Sequence, residues 1–301
     1  MEKLLNALNQ NYTLDCSYLE LIRDAGSTAY AVFSGKNKYF LRVIKPAFFD
    51  TAITGADIQV FLQNQGFPVP PIIFTKGNLP YVKTDDALLI LYDFIDGDNS
   101  EPEKDIKEIG ALVGRLHHAM KSYPGKLIKR DKHFFIGRYI DILRKKQYPR
   151  IDEYIAYGNA LWEKVKDLPS GYCHGDMYDG NIRKASNGKL YVHDFDTSCE
   201  GFPLYDAALI CNMTAYFDFD ENDYHRSNNV LARFIPEYRK YNALTQAEID
   251  GYHSLIAIQH FSTQATIMEI FGIDCIDADV MDSQLDWLYR WQKQCIDTEG
   301  A

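Results

Sequence analysis

The segment His174-Gly175-Asp176-Met177-Tyr178-Asp179-Gly180-Asn181, followed by Val192-His193-Asp194-Phe195-Asp196, constrains this chain more than any other part of it. It sets three proton- and cation-handling side chains, Asp176, Asn181 and Asp194, on one short stretch, with Asn187-Gly188 in between. Asn-Gly with strand-like flanks is the strongest short-range signal for a two-residue hairpin turn. Folded there, Ser186 pairs with Lys189, Ala185 with Leu190, and the open end pairs Asn181 with Asp194. Directly opposed residues on antiparallel strands hold their Cβ atoms roughly 4.5–5.5 Å apart. At that separation an amide oxygen and a carboxylate can share one hard cation.

The cation expected is Mg²⁺, which takes oxygen ligands, keeps several waters and uses one or two protein carboxylates plus substrate phosphates. Asp176, five residues before Asn181, falls on the loop entering the hairpin. A carboxylate there is placed to accept a proton from a hydroxyl nucleophile. The rival for the same residues is a metallohydrolase cluster using His174, His193 and the aspartates. It is the weaker reading, because His193 and Asp194 alternate across one strand and face opposite ways.

The order His-Gly-Asp-x-x-x-x-Asn, then Asp-Phe-Asp, is a variant of the protein-kinase catalytic loop and metal motif. In this form it resembles the aminoglycoside phosphotransferase and choline kinase superfamily, small-molecule kinases with a protein-kinase-like fold. The resemblance implies an α+β, bilobal architecture. A small N-terminal antiparallel-sheet lobe would span residues 1–95, and a larger, mostly helical lobe residues 96–301. It implies ATP, or GTP by the same chemistry, as phosphate donor with Mg²⁺ held by Asn181 and Asp194. Asp176 would orient and deprotonate the acceptor hydroxyl, and His174 would position its loop. Asp196 is left as a further metal neighbour or a structural acceptor.

The same resemblance assigns residues along the rest of the chain. Asp24-Ala25-Gly26-Ser27-Thr28 lies between two strand-like runs, where a turn built on Gly26 and Ser27 would let backbone N–H groups approach phosphates. In Tyr39-Phe40-Leu41-Arg42-Val43-Ile44, period-two alternation sets Phe40, Arg42 and Ile44 on one face. Arg42 stands where the family usually has a phosphate-holding Lys; a guanidinium keeps the charge with a different geometry. Residues 54–65 read as an amphipathic helix ended by Gly66, Pro68 and Pro70. On it, Asp57 aligns with the family's acid partner for that cation, or is simply exposed. Leu88 to Gly97 resembles the hinge, whose backbone at Asp93, Phe94 and Ile95 would bond the adenine edge, or is a buried strand without a ligand. Residues 106–120 form a helix whose His117 reads as a core or surface histidine. Asp206 would brace the catalytic loop through backbone hydrogen bonds. The aromatics of the last third, including Tyr216, Trp287 and Trp291, read mostly as core.

Composition sets the remaining bounds. The chain has 301 residues, 46% hydrophobic and 25% charged, as an ordinary globular protein has. It shows no run of eighteen apolar residues and no signal-peptide core, so neither a membrane span nor export is expected. Six cysteines without CxxC spacing argue against zinc and a disulfide framework and fit a reducing cytoplasm. A net charge of −10 disfavours nucleic acid as a partner. The charge is uneven: Asp194 to Asp223 holds eight carboxylates and no Lys or Arg, and Asp274 to Asp286 is again acidic, while Lys126 to Arg150 is basic. The acidic runs read either as solvated faces or as a cleft that attracts a cationic acceptor.

A eukaryotic-type protein kinase is disfavoured. Gly175 replaces the Arg that reads a phosphorylated activation loop. About ten residues separate Asp194 from Leu204, too few for such a loop. Neither G-x-x-x-x-G-K-[ST] nor G-x-G-x-x-G occurs. Two functional expectations remain: phosphotransfer to a small hydroxyl compound (an aminoglycoside, choline, homoserine or methylthioribose), or a nucleotide-binding module without turnover. The Arg42 and Asp57 departures favour the second mildly.

Overall fold

The computed structural model describes residues 1–25 and 27–299. In chain order its elements begin α1 (Glu2–Asn11), β1 (Cys16–Ala25), β2 (Ser27–Ser34), β3 (Asn37–Ile44), α2 (Phe49–Asn64), β4 (Val82–Lys83), β5 (Leu88–Asp93) and β6 (Gly97–Asn99). Then come α3 (Pro102–Met120), β7 (Ile128–Lys129), α4 (Arg138–Lys145), α5 (Ile151–Val165), β8 (Gly171–Cys173), β9 (Ile182–Ala185), β10 (Leu190–Val192) and β11 (Cys199–Gly201). The chain ends in α6 (Pro203–Cys211), α7 (Asn222–Tyr238), α8 (Gln246–Asp250), α9 (Tyr252–Phe271) and α10 (Ala278–Glu299). This is the α+β, bilobal kinase-like fold, and it divides into two compact units.

The first unit gathers Met1–Ser100, Ser122–Gly125 and Asp179–Ser198. It therefore reaches a little past residue 95 and takes in the β9–β10 hairpin, which a continuous 96–301 lobe would have kept elsewhere. The hairpin joins through β6, whose Gly97 pairs with Ala185, and through Val192 N–H donating to Pro68 O at 3.0 Å. A five-stranded antiparallel sheet, β1-β2-β3-β5-β4, has apolar residues on both faces. Tyr39, Leu41, Leu89 and Leu91 pack with Leu8 of α1 and with Tyr12, the residue that follows this helix. Ile44, Leu88, Ile90 and Tyr92 pack with Phe49, Ala52 and Ala56 of α2. The alternation expected of β3 holds: Phe40 and Ile44 share the α2 face, with Arg42 between them.

The inner stripe of α2 is Ala52, Gly55, Ala56, Gln59 and Leu62, all buried. Each residue advances a helix by 100°, so Asp57 sits about 200° round from Gly55 and is exposed. The helix stops where expected, with Phe67 N–H donating back to Leu62 O at 3.0 Å around Gly66.

The catalytic hairpin forms, but in a different register from the one its Asn-Gly signals. Leu190 pairs with Lys184, Tyr191 with Arg183 and Val192 with Ile182. Gly188 N–H donates to Ala185 O at 2.8 Å, and Ala185 N–H to Lys189 O at 2.9 Å. Gly188 alone in the turn has positive φ, +82°. This is a three-residue loop, Ser186-Asn187-Gly188, closed by a left-handed glycine, rather than the two-residue turn. The extra residue shifts every pair by one. His193 N–H donates to Asn181 O at 3.1 Å, so His193, not Asp194, lies opposite Asn181. Asp194 is the first residue past the ladder, at φ 65°, ψ 66°.

The second unit gathers Glu101–Lys121, Lys126–Tyr178 and the chain from Cys199 onward. α3 packs on α7, and α9 packs on α4, α5 and α6. A small sheet, β7-β11-β8, pairs Cys199 with Cys173 just before the catalytic loop. Phe261 stands at the centre, its ring meeting those of Tyr139, Tyr154 and Tyr157. Trp287 and Trp291 are buried as expected, while Phe217 is 67% exposed. All six cysteines are free. Among the described residues no helix is long and apolar enough to cross a membrane.

Candidate active site

Within the second unit, the catalytic loop hangs on one carboxylate. Asp206, on α6, is fully buried. It accepts from His174 N–H at 2.6 Å, Gly175 N–H at 2.9 Å and Cys173 Sγ at 3.1 Å. His117 Nε2 lies 2.9 Å from the same group, and its Nδ1 lies 2.9 Å from Tyr238 Oη. Burial pushes the Asp206 carboxyl up. The hydrogen bond and charge of His117, helped by His174, more than reverse this and hold it below the usual carboxylate range. The bracing role expected of Asp206 is present. His117, read as a core or surface histidine, is buried in the core; what sequence reasoning missed is that it bridges Asp206 to α7. His174 is itself fully buried, and its backbone is what meets Asp206. Asp176, two residues on, is partly exposed, with Met177 buried beneath the loop.

Within the first unit, Arg42 organises a buried charge cluster. Its Nη1 and Nη2 donate to the two oxygens of Asp196 at 3.2 and 2.7 Å, a two-point fork. Nη2 also lies 3.3 Å from Asp194 Oδ1. Burial opposes the Arg42 charge, but Asp194 and Asp196 outweigh it and hold the guanidinium firmly protonated. Asp57 is not its partner: among the described residues the ion pairs of Arg42 are with Asp194 and Asp196. The resemblance placed the acid on α2, but the helix phase turns Asp57 to solvent.

The cluster fits a divalent cation. Asp194 and Asp196 bring carboxylate oxygens together in side chains that are only 27% and 19% exposed, the kind of hard-oxygen donor set that such a cation takes. Asp194 reaches this position from a left-handed backbone, a conformation that Asp tolerates better than most residues. Such outliers concentrate at functional sites. Asn181, nearly buried at the base of the hairpin, offers a second hard oxygen. The hydrolase alternative needs at least three ligands on one ion. Among the described residues no group of three or more His, Cys, Asp or Glu side chains is set to hold a metal.

The remaining expected residues divide. Gly26 lies outside the described residues. Ser27 opens β2, nearly buried, in a ladder that closes on Ala25 and Ser27. At the hinge, Asp93 N–H is committed to Pro71 O at 2.8 Å. Ile95 O receives Arg183 Nε at 3.4 Å, while the backbone N–H and C=O of Phe94 bond to no described residue. The side chains of Asp93, Phe94 and Ile95 line a cleft of about 940 Å³ in this unit, where Lys38 Nζ sits 3.9 Å above the Phe94 ring.

Fold and site together define a small-molecule kinase that moves phosphate to a hydroxyl. The chain belongs to the phosphotransferase enzyme family, whose model matches residues 19–244. It is 20% identical over 253 residues to a homoserine kinase of Bartonella henselae, covering 78% of this chain and 75% of that one. Among solved structures, an amicoumacin kinase in complex with AMP-PNP, Ca²⁺ and Ami superimposes with a TM-score of 0.76 at 18% identity, over 97% of this chain and 93% of that one. A microcompartment-associated aminopropanol kinase gives 0.73 at 14%, over 97% and 95%. The choline kinase LicA of Streptococcus pneumoniae gives 0.64 at 14%, over 97% of each.

Proposed function

We propose that the protein transfers the γ-phosphate of ATP, with Mg²⁺, to a hydroxyl of a small cationic molecule. The observation that carries this reading is the Arg42–Asp194–Asp196 cluster, in which the strand cation and the expected metal carboxylate come within 3.3 Å. The Arg42 guanidinium, held by the two aspartates, is the cation that would face the nucleotide phosphates. Asp194 and Asn181 would hold Mg²⁺, whose contribution when bound is to neutralise phosphate charge. Asp176 would take the acceptor proton, its loop held still by Asp206. Phe94 would offer its backbone to the base of the nucleotide.

Positioning and charge neutralisation account for most catalysis of this kind. The acceptor is drawn from the compounds named for the relatives. Homoserine, choline and aminopropanol each join a hydroxyl to a positively charged nitrogen, and a chain of net charge −10 suits such a molecule. The binding-module alternative drew mild support from the Arg42 and Asp57 departures; against it, Arg42 finds a carboxylate partner in Asp196 although Asp57 is turned away.

Turnover of ATP and GTP with a panel of amino alcohols and aminoglycosides tests the reading. Asp176→Asn is expected to keep nucleotide affinity and lower turnover by about 10²–10⁴-fold, the usual worth of a positioned base. Asp194→Ala is expected to abolish the Mg²⁺-dependent part of nucleotide binding. Nucleotide binding with no panel member phosphorylated, and no effect of Asp176→Asn, would return the protein to the binding-module class.

A further inference from the structure

In kinases of this architecture the strand cation is set by an acid on the helix beside it, so moving that helix moves the cation. Here the geometry points to a different device. We infer that Asp196 is the residue that positions Arg42, and that α2 serves only as a floor beneath it. The inference rests on the kinase reading above for its consequence, but its structural content does not.

Three observations converge. The fork from Arg42 to Asp196 uses both carboxylate oxygens. The helix residue facing that carboxylate is Gly55. A Cβ placed there would stand 2.7 Å from Asp196 Oδ1 and 3.1 Å from Asp196 N and Phe195 C. A real Cβ essentially never comes within 2.7 Å of another heavy atom, and the backbone contacts are tighter than most, so with any larger residue at 55 the Asp196 carboxylate and the 195–196 segment would have to shift. Finally, the other inward polar residue of α2, Gln59, is committed elsewhere: its Nε2 donates to Pro70 O at 2.5 Å. The helix thus presents no acid to Arg42 and leaves room for one from outside.

The consequence is a shorter coupling. The carboxylate that fixes the cation is two residues from Asp194, the expected metal ligand, on the same turn of chain. Phosphate-binding cation and metal loop are therefore set by one segment, and a displacement of α2 does not by itself undo the pair. Asp196 also repels the phosphates that Arg42 attracts. Its loss is therefore expected to leave affinity nearly unchanged and to act on kcat.

A double-mutant cycle decides the matter. Asp196→Asn and Arg42→Lys are each expected to lower kcat at least tenfold and to change the nucleotide Kd by less than about threefold. The double variant is expected to be no worse than the poorer single one, because both remove the same pair. Gly55→Ala is expected to reproduce the kcat loss, and Asp57→Asn to change kcat by less than twofold. Three results would overturn the inference: penalties that multiply, an Asp57→Asn effect coupled to Arg42, or recovery of Asp196→Asn at high Mg²⁺, which would make Asp196 a metal ligand instead. The same cycle read by urea unfolding needs no substrate. There the single variants are expected to lower the folding equilibrium constant at least tenfold without adding. If the wild-type protein phosphorylates nothing, the kinase reading falls while the unfolding cycle still upholds or rejects the Arg42–Asp196 pair.

Discussion

His260 shows what a single buried group contributes to pH dependence. Its ring stacks on Trp287, with centroids 3.9 Å apart, and on Tyr216 at 4.9 Å. Its Nδ1–H donates to Gln284 Oε1 at 2.8 Å. Burial lowers its pKa to about 4, and the Gln284 bond only partly opposes this. In the unfolded chain the ring titrates near 6.5. As pH falls, the unfolded state therefore takes up the proton first. The stability that this group confers is complete above about 6.5 and is lost progressively down to about 4, on the order of 3 kcal/mol in all. Between pH 7 and pH 5 the wild-type protein is expected to lose about 2 kcal/mol more than His260→Asn, measured by urea unfolding at both values. Equal losses would show that the ring titrates normally. Asp206 does not confuse the measurement. Its depressed pKa gives stability that is present above about 3.8 and lost only as the pH falls further, below this window.

At the scale of elements, the β9–β10 hairpin makes a separable prediction. In the three-residue loop only Gly188 needs a left-handed backbone, so Gly188→Ala is expected to cost about 1–2 kcal/mol of stability. Nothing lies within 4 Å of the added Cβ, so that cost is conformational rather than steric. Asn187→Ala removes only a side-chain bond to Lys189 N–H, 3.0 Å long, and is expected to cost about 0.5–1 kcal/mol. A two-residue turn would make the two variants comparably costly, so their order in denaturant unfolding tests the register. The hairpin was legible in the sequence because Asn-Gly between strand-like residues is a local signal. Its register was not, because the same dipeptide also closes a three-residue loop, and the local signal is the same for both. The α2 face of β3 was legible by alternation. The partner of Arg42 was not, since motif alignment assigned Asp57 a position that the phase of α2 turns to solvent. The bridging role of His117 escaped notice for a similar reason: nothing local to its helix indicates that Asp206, 89 residues away, lies against it.

For the molecule as a whole, the charge pattern resolves into separate tasks, and what is left over carries the last prediction. Of the eight carboxylates from Asp194 to Asp223, Asp194 and Asp196 hold Arg42, Glu200 meets Lys129 at 3.2 Å, Asp206 braces the catalytic loop, and buried Asp223 pairs with Arg226 at 3.0 Å. The acidic stretch at 274–286 is answered by the basic one at 126–150: Lys146 meets Asp274 at 3.4 Å, and Arg150 meets Asp282 at 3.2 Å and Asp286 at 3.6 Å. Composition left each run open as a solvated face or a cleft, and the pairings show that neither is an undivided acidic cleft. The exposed remainder is Asp218, Asp220 and Glu221, ahead of α7. Three like charges on one exposed loop create a field that salt screens over about 8–10 Å, and they raise the local concentration of a cation without touching it. Replacing them together by Asn, Asn and Gln is expected to raise KM for a cationic acceptor several-fold at low ionic strength. It is also expected to flatten the salt dependence of kcat/KM, and to leave kcat and the KM of an uncharged acceptor unchanged. Asn at 220 keeps the oxygen that accepts from Asn222 N–H at 2.8 Å, so the start of α7 is preserved. A KM for the cation that does not move, or one that rises equally for the uncharged acceptor, would mean that the loop steers nothing.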